Sequence, residues 1–161
     1  MGEVKTLIYR KAIPDDINDL VEMRMAYLLE DQEYIKETDR IRMEKSLPAY
    51  YERHLNQDFF AYVAVNNKIV GTVFLVVEER PANPHFITGK IGVLMNVYTR
   101  NEYRRQGIAR KLVSMVIDES KVMNLSKIEL MATEDGYELY KTLGFKIKES
   151  EYVPMVYKFQ R

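Results

Sequence analysis

The sequence predicts an α+β fold in which helices flank one mixed, mostly antiparallel central sheet. Three observations predict it: two helical patterns come first, a meander of strands follows, and a β-α-β-α-β pattern closes the chain. Apolar residues make up 47% of the 161 residues and charged residues 30%, a composition typical of globular rather than disordered proteins. The length fits one domain, so we expect a single domain over residues 1–161.

The first elements are an edge strand over 6–10 and a helix that Pro14 and Asp15 begin and that runs to about Leu29. The helix has an apolar stripe formed by Ile17, Leu20, Val21 and Leu28. Arg24 occupies a position of that stripe where an apolar residue is expected. A cation on an inward face needs partners or water. Arg24 therefore either bonds backbone carbonyls near the surface or points into a polar substrate cleft.

An acidic segment over 30–39 follows and is predicted to be irregular. Five acids and one base between positions 28 and 39 give it a local net charge of −4. Such a rim favours a cationic ligand, and an ordinary solvated surface is the alternative. A second helix is predicted from Met43 to Leu55, with a kink or restart at Pro48.

The strand meander is predicted from β-branched and aromatic residues over 59–65, 68–77 and 90–99, with Asn66-Asn67 as a hairpin turn and 78–85 as a loop. The closing pattern comprises a helix over 107–123, a strand over 127–132, a helix over 138–143 that Gly144 ends, and a strand over 152–159.

The composition excludes several classes of function. Without cysteine there is no disulfide, thiolate metal site or cysteine nucleophile. Lys plus Arg equals Asp plus Glu, at 24 each, which disfavours a dedicated nucleic-acid binder. The apolar stretch over 73–77 is too short to cross a bilayer, and we expect a cytoplasmic protein without membrane partners.

The most informative segment lies between the third long strand and the clearest helix: Arg104, Arg105, Gln106, Gly107, Ile108 and Ala109. Gly107 lets a ligand approach the backbone, and the first turn of the helix offers free N–H groups at the positive end of its dipole. The stretch 100–111, which includes Arg110, has five bases and one acid. This pattern predicts a phosphate cradle, with a solvated basic turn as the alternative. It lacks the Gly-Lys-Ser/Thr of a Walker A loop and the three glycines of a dinucleotide fingerprint.

The Arg-x-x-Gly-x-Ala pattern resembles the acyl-CoA loop of the GNAT N-acetyltransferase family. The resemblance extends to the strand over 96–99 and to Leu-Tyr-Lys-Thr-Leu-Gly-Phe over 139–145. It implies that residues 104–110 hold the diphosphate of acetyl-CoA, mainly through backbone N–H groups. It also implies a bulged strand at Val97, Tyr98 and Thr99, whose backbone pairs with the pantetheine arm and polarises the thioester carbonyl.

The same resemblance implies that Tyr140, four residues before Gly144, protonates the departing thiolate. As one of twelve tyrosines, it could otherwise be a packing residue. Members of the family often carry Asn seven residues before this tyrosine, where the present chain has Thr133, whose hydroxyl could replace it only in part. Pro is common in the family where Asn101 stands, which affects the stiffness of the loop.

The acceptor site is less defined by the sequence. Arg24, Glu78 and Asn96 are candidate substrate-binding residues. Glu78, Glu79, Asn96, His85 or an ordered water relayed by backbone carbonyls could take the proton of the acceptor amine. His54 is expected to be structural. The resemblance implies an acetyl-CoA-dependent N-acetyltransferase acting on a primary amine of a small molecule or peptide in a ternary complex, with no metal and a homodimer as the family-level expectation. A non-catalytic acyl-CoA sensor and a nucleic-acid binder using 100–111 are the alternatives.

Overall fold

The structure is a computed structural model that describes residues 6–160. Its strands are β1 (Ile8–Lys11), β2 (Phe59–Asn66), β3 (Lys68–Glu79), β4 (Lys90–Thr99) and β5 (Lys127–Glu129). Its α-helices are α1 (Ile17–Asp31), α2 (Glu37–His54), α3 (Ile108–Val122) and α4 (Glu134–Thr142). A short 3-10 helix, Pro14–Asp16, precedes α1. A second one, Asn101–Tyr103, follows β4 and leads into the loop before α3.

The strands form one five-stranded sheet in the order β1-β2-β3-β4-β5. The first three pairings are antiparallel, and β4 pairs with β5 in parallel. The α3 helix connects these two parallel strands, as a crossover requires. The predicted α+β fold with a mixed, mostly antiparallel sheet is therefore confirmed.

The chain divides into two compact units, the first ending at Met131 and the second beginning at Ala132. The sheet and α1 to α3 belong to the first unit, and α4 belongs to the second. None of the helices formed by residues 6–160 combines the length and the apolar character needed to span a membrane.

Helices cover both faces of the sheet in the first unit. On one face, alternate residues of β2 pack with residues of α1 and α2 in a buried cluster that includes Leu20, Met23, Tyr51, Phe59, Ala61 and Val63. On the other face, Ile108 and Leu112 of α3 lie over Gly71 and Ala64. The period of two in a strand separates these sets, since Ala64 points away from the side that Val63 faces.

Two helices begin earlier than the sequence predicts. The α2 helix starts at Glu37 and continues through Pro48 without a break. Acids in its first turn and the ion pairs that Arg40 makes with Glu37 and Glu44 favour the additional turns. Only residues 32–36 of the predicted acidic segment lie outside helices. The α4 helix starts at Glu134 because the Thr133 hydroxyl accepts a hydrogen bond from the Gly136 N–H at 3.2 Å.

The predicted last strand over 152–159 is wrong, and β5 ends at Glu129 rather than at 132. Within residues 130–160 the structure assigns no strand. Alternating apolar residues make a segment suitable for a sheet, but a strand exists only where a neighbour supplies a backbone ladder. The alternating residues over 152–159 therefore indicate a propensity for strand structure, but they do not determine whether another strand pairs with this segment.

The connection between β1 and α1 is held by Asp16, which is 8% exposed. Its carboxylate accepts hydrogen bonds from Arg10 at 2.6 and 3.1 Å and from the Ile13 N–H at 2.8 Å. Hydrogen bonding to Arg10 holds the pKa of Asp16 below its ordinary value, although burial opposes that shift. A carboxyl whose pKa is lowered by folding stabilises the fold above its unfolded pKa and loses that effect as the pH falls through its folded pKa.

We therefore expect Asp16→Asn to lower the free energy of unfolding by about 1–3 kcal/mol at neutral pH, because it weakens charge-assisted hydrogen bonds in a buried position. The difference from wild type should shrink below about pH 4, where Asp is protonated in the unfolded chain. Urea unfolding at both pH values measures it. Asp15→Asn, on the exposed side of the same turn, is the control and should change stability little. An equal loss in both variants would contradict the role of Asp16.

Candidate active site

The N-terminus of α3 presents backbone donors that the helix itself does not pair. Gly107 precedes the helix with φ +80°, in the left-handed region that favours glycine, and no side chain caps the helix. The first hydrogen bond of the helix runs from the Lys111 N–H to the Gly107 carbonyl at 3.0 Å. The N–H groups of residues 107–110 therefore have no acceptor within the helix. A Cβ built on Gly107 meets no atom within 4 Å, so the backbone is open to a ligand there.

The charge around this helix start also favours an anion. The first turns of α1, α2 and α4 each contain at least one acid, whereas the first turn of α3 contains none. Acids in a first turn offset the positive end of a helix dipole. At α3 the dipole keeps its attraction for an anion, and Arg105 beside it is exposed, with φ 61°.

Two arginines from the segment before α3 connect it to α1. Arg100 pairs with Glu22 at 2.8 Å and donates to the Ile69 carbonyl. Arg104 pairs with Glu30 at 2.7 Å and donates to the Thr99 carbonyl at 2.8 Å. These contacts place the loop, and they also offset two of the five positive charges that the sequence places between 100 and 111.

Arg104, one of the residues expected to hold the diphosphate, contacts the protein itself through its side chain. Its guanidinium bonds Glu30 and Thr99, and its backbone N–H donates to the Asn101 carbonyl. Hydrogen bonding to Arg104 lowers the pKa of Glu30, so this pair is ionised at neutral pH. These contacts hold the loop against Thr99 and Glu30. The Gln106 side chain donates only a long hydrogen bond to the Glu102 carbonyl.

The helix start is fixed to the sheet by close packing. Ile108, the first helical residue, is 2% exposed, and its Cγ2 lies 2.6 Å from where a Cβ on Gly71 of β3 would stand. A side chain at position 71 would therefore push α3 away from the sheet. Ala109, the next helical residue, is partly buried. This close approach fixes the first turn of α3 against β3.

A bulge interrupts β4 beside this loop. Thr72 of β3 pairs with Tyr98, but Phe74 pairs with Met95, so Asn96 and Val97 together face a single residue of β3. Asn96 takes φ 52°, a left-handed conformation that asparagine tolerates better than most residues. The strand containing Val97, Tyr98 and Thr99 is therefore bulged as expected, with the extra residue at its beginning.

Hydrogen bonds hold the bulge from inside the fold. Asn96 is 2% exposed and donates from Nδ2 to Thr72 Oγ1 at 3.1 Å, while the Thr72 hydroxyl donates back to the Asn96 carbonyl at 3.0 Å. Asn96 was a candidate substrate-binding residue, and the structure places its side chain in this buried network. Thr72 was missed by sequence reasoning, because one threonine in a strand carries no functional signal.

The bulge also changes which residues of β4 face α1. Met95 and Tyr98 both pack against the cluster formed with α1 and α2, although they are three positions apart. In a regular strand, residues separated by an odd number of positions point to opposite faces. Tyr98 lies edge-on to Tyr27 of α1 at 6.5 Å and under the Arg104 guanidinium at 5.5 Å. The bulge thus brings Tyr98 to the side where the phosphate loop meets α1.

Arg24 extends from α1 to the same bulge. Its Nη1 donates to Asn96 Oδ1 at 3.3 Å, and its guanidinium lies 6.0 Å from the ring of Tyr27. The hydrogen-bond partner of Arg24 is therefore a buried side chain rather than a backbone carbonyl. The side chain is only partly buried.

The other acceptor-site candidates lie at or near the surface of the first unit. Glu78 pairs with Arg80, and Glu79 is exposed at the end of β3. His54 bonds Asp58 at 2.7 Å and lies against Tyr50, which is the structural role expected of it. The His85 side chain is exposed in the loop after β3. No group of three or more His, Asp or Glu residues that could hold a metal ion occurs within residues 6–160.

The second unit holds Tyr140 in a defined packing environment. Its side chain is 8% exposed, and the ring of Phe145 meets it edge-on at 5.8 Å. A Cβ on Gly136 would lie 2.9 Å from Tyr140 Cε2 and 3.3 Å from the Thr133 hydroxyl, so a larger residue there would displace the ring. Sequence reasoning missed Gly136, whose function is to make room beneath Tyr140 one turn further along α4. Thr133 uses its oxygen as the helix cap.

Fold and site together define an α+β protein whose sheet presents a bulged strand next to a helix start that no side chain caps. The model of the GNAT acetyltransferase family matches residues 22–145, which is most of the chain. The chain therefore belongs to the GNAT family and is an acetyltransferase, as its motifs indicated.

Solved structures agree with this assignment. A predicted acetyltransferase from Clostridium acetobutylicum, in a crystal structure with acetyl-CoA, is 29% identical to this chain in sequence. The match covers 94% of this chain and 96% of that protein, with a TM-score of 0.81. A GCN5-related N-acetyltransferase from Ralstonia eutropha is 20% identical over 93% and 99% of the two chains, with a TM-score of 0.74. Glucosamine-6-phosphate N-acetyltransferase from Arabidopsis thaliana is 19% identical over 96% and 99%, with a TM-score of 0.66. Among curated proteins, no sequence matched significantly.

Proposed function

We propose that this chain transfers the acetyl group of acetyl-CoA directly to the primary amine of a small molecule bound in the same ternary complex. The observation that carries the proposal is the uncapped start of α3, open at Gly107 and free of acids in its first turn. Acetyl-CoA as donor is further supported by the Clostridium acetobutylicum protein, which is similar to this chain over nearly its whole length and is described with acetyl-CoA.

The diphosphate of acetyl-CoA would be bound by the N–H groups of Gly107, Ile108, Ala109 and Arg110. A diphosphate carries the charge that a helix dipole and several converging N–H groups stabilise. Arg105 and Gln106 would contribute side-chain donors from the exposed face of the loop. Arg104 would contribute indirectly, because its side chain holds the loop against Thr99 and Glu30.

The bulged part of β4 would bind the pantetheine arm. An extra residue in a strand leaves backbone groups without a ladder partner, and an extended amide chain can use them as an added strand would. Val97, Tyr98 and Thr99 supply those groups, with Thr133 as a further hydroxyl contact. An N–H group at the bulge would polarise the thioester carbonyl and stabilise the oxyanion that forms there. The Asn96 and Thr72 hydrogen bonds fix that geometry in advance.

In the transfer itself, the neutral amine nitrogen bonds to the thioester carbonyl carbon and the carbon–sulfur bond breaks. The departing thiolate takes a proton from the phenol of Tyr140, and the acceptor nitrogen gives its proton to water, from which the Tyr140 phenolate is reprotonated. A phenol suits this role because its reference pKa lies within about two units of that of a thiol. The support for Tyr140 is its position in the Leu-Tyr-Lys-Thr-Leu-Gly-Phe motif and its packing on Gly136.

A small-molecule acceptor is supported by the fold shared with the Arabidopsis enzyme, which is named for glucosamine 6-phosphate. Acceptor contacts would come from α1 and β4 near Arg24 and Asn96, which the structure joins by a hydrogen bond. Glu78, which is paired with Arg80, would act at the end of β3.

The test is acetyl-CoA turnover with a panel of small primary amines. We expect amine-dependent release of free thiol and a product heavier than the amine by one acetyl group, measured by a thiol reagent and by mass spectrometry. Reactions without amine correct for thioester hydrolysis. If acetyl-CoA binds tightly but no amine of the panel is acetylated, the proposed transfer to a small primary amine is refuted and the acyl-CoA sensor is favoured.

A further inference from the structure

Arg24 differs from the other arginines that tie α1 to its surroundings. Arg10, Arg100 and Arg104 each pair with a carboxylate, at 2.6, 2.8 and 2.7 Å respectively. Within the described residues, no carboxylate pairs with Arg24, whose hydrogen bond is the 3.3 Å contact to the neutral Asn96 amide. A partly buried guanidinium without a counter-charge is costly unless something else completes its surroundings.

The surroundings of Arg24 are aromatic. Its guanidinium lies 6.0 Å from the Tyr27 ring, and its charge also acts on the phenols of Tyr50 and Tyr51 in α2. Burial raises the pKa of these three phenols, and Arg24 opposes the increase. None of these neutral side chains supplies a carboxylate-like acceptor. A guanidinium has five N–H donors in a planar fork, so most of the donors remain for a bidentate anion.

The charge of Arg24 lies next to the β4 bulge, where the thioester is proposed to bind. Arg24 bonds the residue that forms the β4 bulge, and the proposed thioester site begins at the next residue, Val97. An acceptor held at Arg24 would therefore lie alongside the bulge, with its amine directed to β4. A cationic group at this place would be repelled by the unpaired charge of Arg24. Glu30, the acid near the end of α1, is already paired with Arg104.

We propose that Arg24 binds an anionic group, a carboxylate or a phosphate, on the amine acceptor. The proposal rests on the acetyltransferase function proposed above and narrows its acceptors to amines that carry a negative charge. Arg24 would thus select the substrate, and the acidic segment after α1 would not. This reverses the cationic preference that an acidic rim over 30–39 suggested.

The experiment compares matched acceptors in the wild type and in Arg24→Gln. One pair is 4-aminobutanoate and 4-aminobutanamide, and the other is O-phosphoethanolamine and ethanolamine, so the arms separate a carboxylate from a phosphate. We expect the wild type to favour at least one anionic amine over its neutral partner in kcat/KM. Arg24→Gln should lower that ratio by about 10- to 100-fold, the loss of a hydrogen bond between charged groups. Arg42→Gln, on the exposed side of α2, is the matched control and should keep the wild-type ratio.

A wild-type ratio near one in both pairs, or an unchanged ratio in Arg24→Gln, would overturn the proposal. Arg24→Lys keeps the charge without the fork and should lower the ratio by less, which provides a second variant if Arg24→Gln does not fold. If none of the four amines is acetylated although acetyl-CoA binds, the proposed transfer to such amines fails. The Arg24 site is then judged by calorimetric Kd values of the two anionic amines, and equal values in wild type and variant would refute it.

Discussion

Tyr140→Phe is expected to lower kcat by about 10²- to 10⁴-fold, the usual contribution of a general acid. Without the phenolic proton the thiolate must leave unprotonated or take its proton from water. The substitution removes one oxygen and keeps the ring, so the contacts with Gly136 and Phe145 persist. The Kd of acetyl-CoA should therefore change by less than about threefold, since the phenol acts on the departing group and not on binding. Steady-state kinetics and calorimetry separate the two effects.

Tyr137→Phe is the matched control, because Tyr137 lies on the same helix but is 38% exposed and has Lys141 beside its ring. Its kcat should stay near that of the wild type. A Tyr140→Phe variant that keeps wild-type kcat over the whole pH range would remove Tyr140 from the chemistry. In that case its burial and its contact with Phe145 would define it as a packing residue.

Gly107→Val is expected to raise the Kd of acetyl-CoA by about 10- to 100-fold. A β-branched residue is strained at φ +80°, so the turn must move and the N–H groups of the first turn of α3 lose their common direction. Losing one charge-assisted hydrogen bond of about 1.5–3 kcal/mol accounts for a change of this size. Calorimetric titration with acetyl-CoA measures it directly.

Gly144→Val provides the control for backbone strain. Gly144 has φ +98°, and a Cβ built there also meets nothing within 4 Å, so both substitutions meet the same kind of local conformational penalty. Both variants should lose stability, but only Gly107→Val should lose affinity for acetyl-CoA. Comparable losses of affinity in the two variants would mean that general destabilisation, and not the helix start, explains the effect.

Much of the fold could be predicted because its strongest signals are local. The 90–99 strand and the helix after Gly107 have long, regular patterns, and the structure places them where the sequence does. The helix starts at Glu37 and Glu134 were missed because capping and ion pairing, not apolar period, extend those helices. The 152–159 strand was wrong because pairing, unlike propensity, depends on another part of the chain.

The sequence by itself determined the family, because the motif around Gly107 specifies a backbone conformation within a few residues. Only the tertiary structure decided what the arginines do. Arg104 and Arg24 are equally cationic in the sequence, yet Arg104 is paired with Glu30, whereas Arg24 donates a hydrogen bond to the neutral Asn96 amide. The difference arises from the bulge in β4, which turns Tyr98 toward α1 and places Asn96 beneath Arg24. Such a contact joins residues 72 positions apart, and no local pattern encodes it.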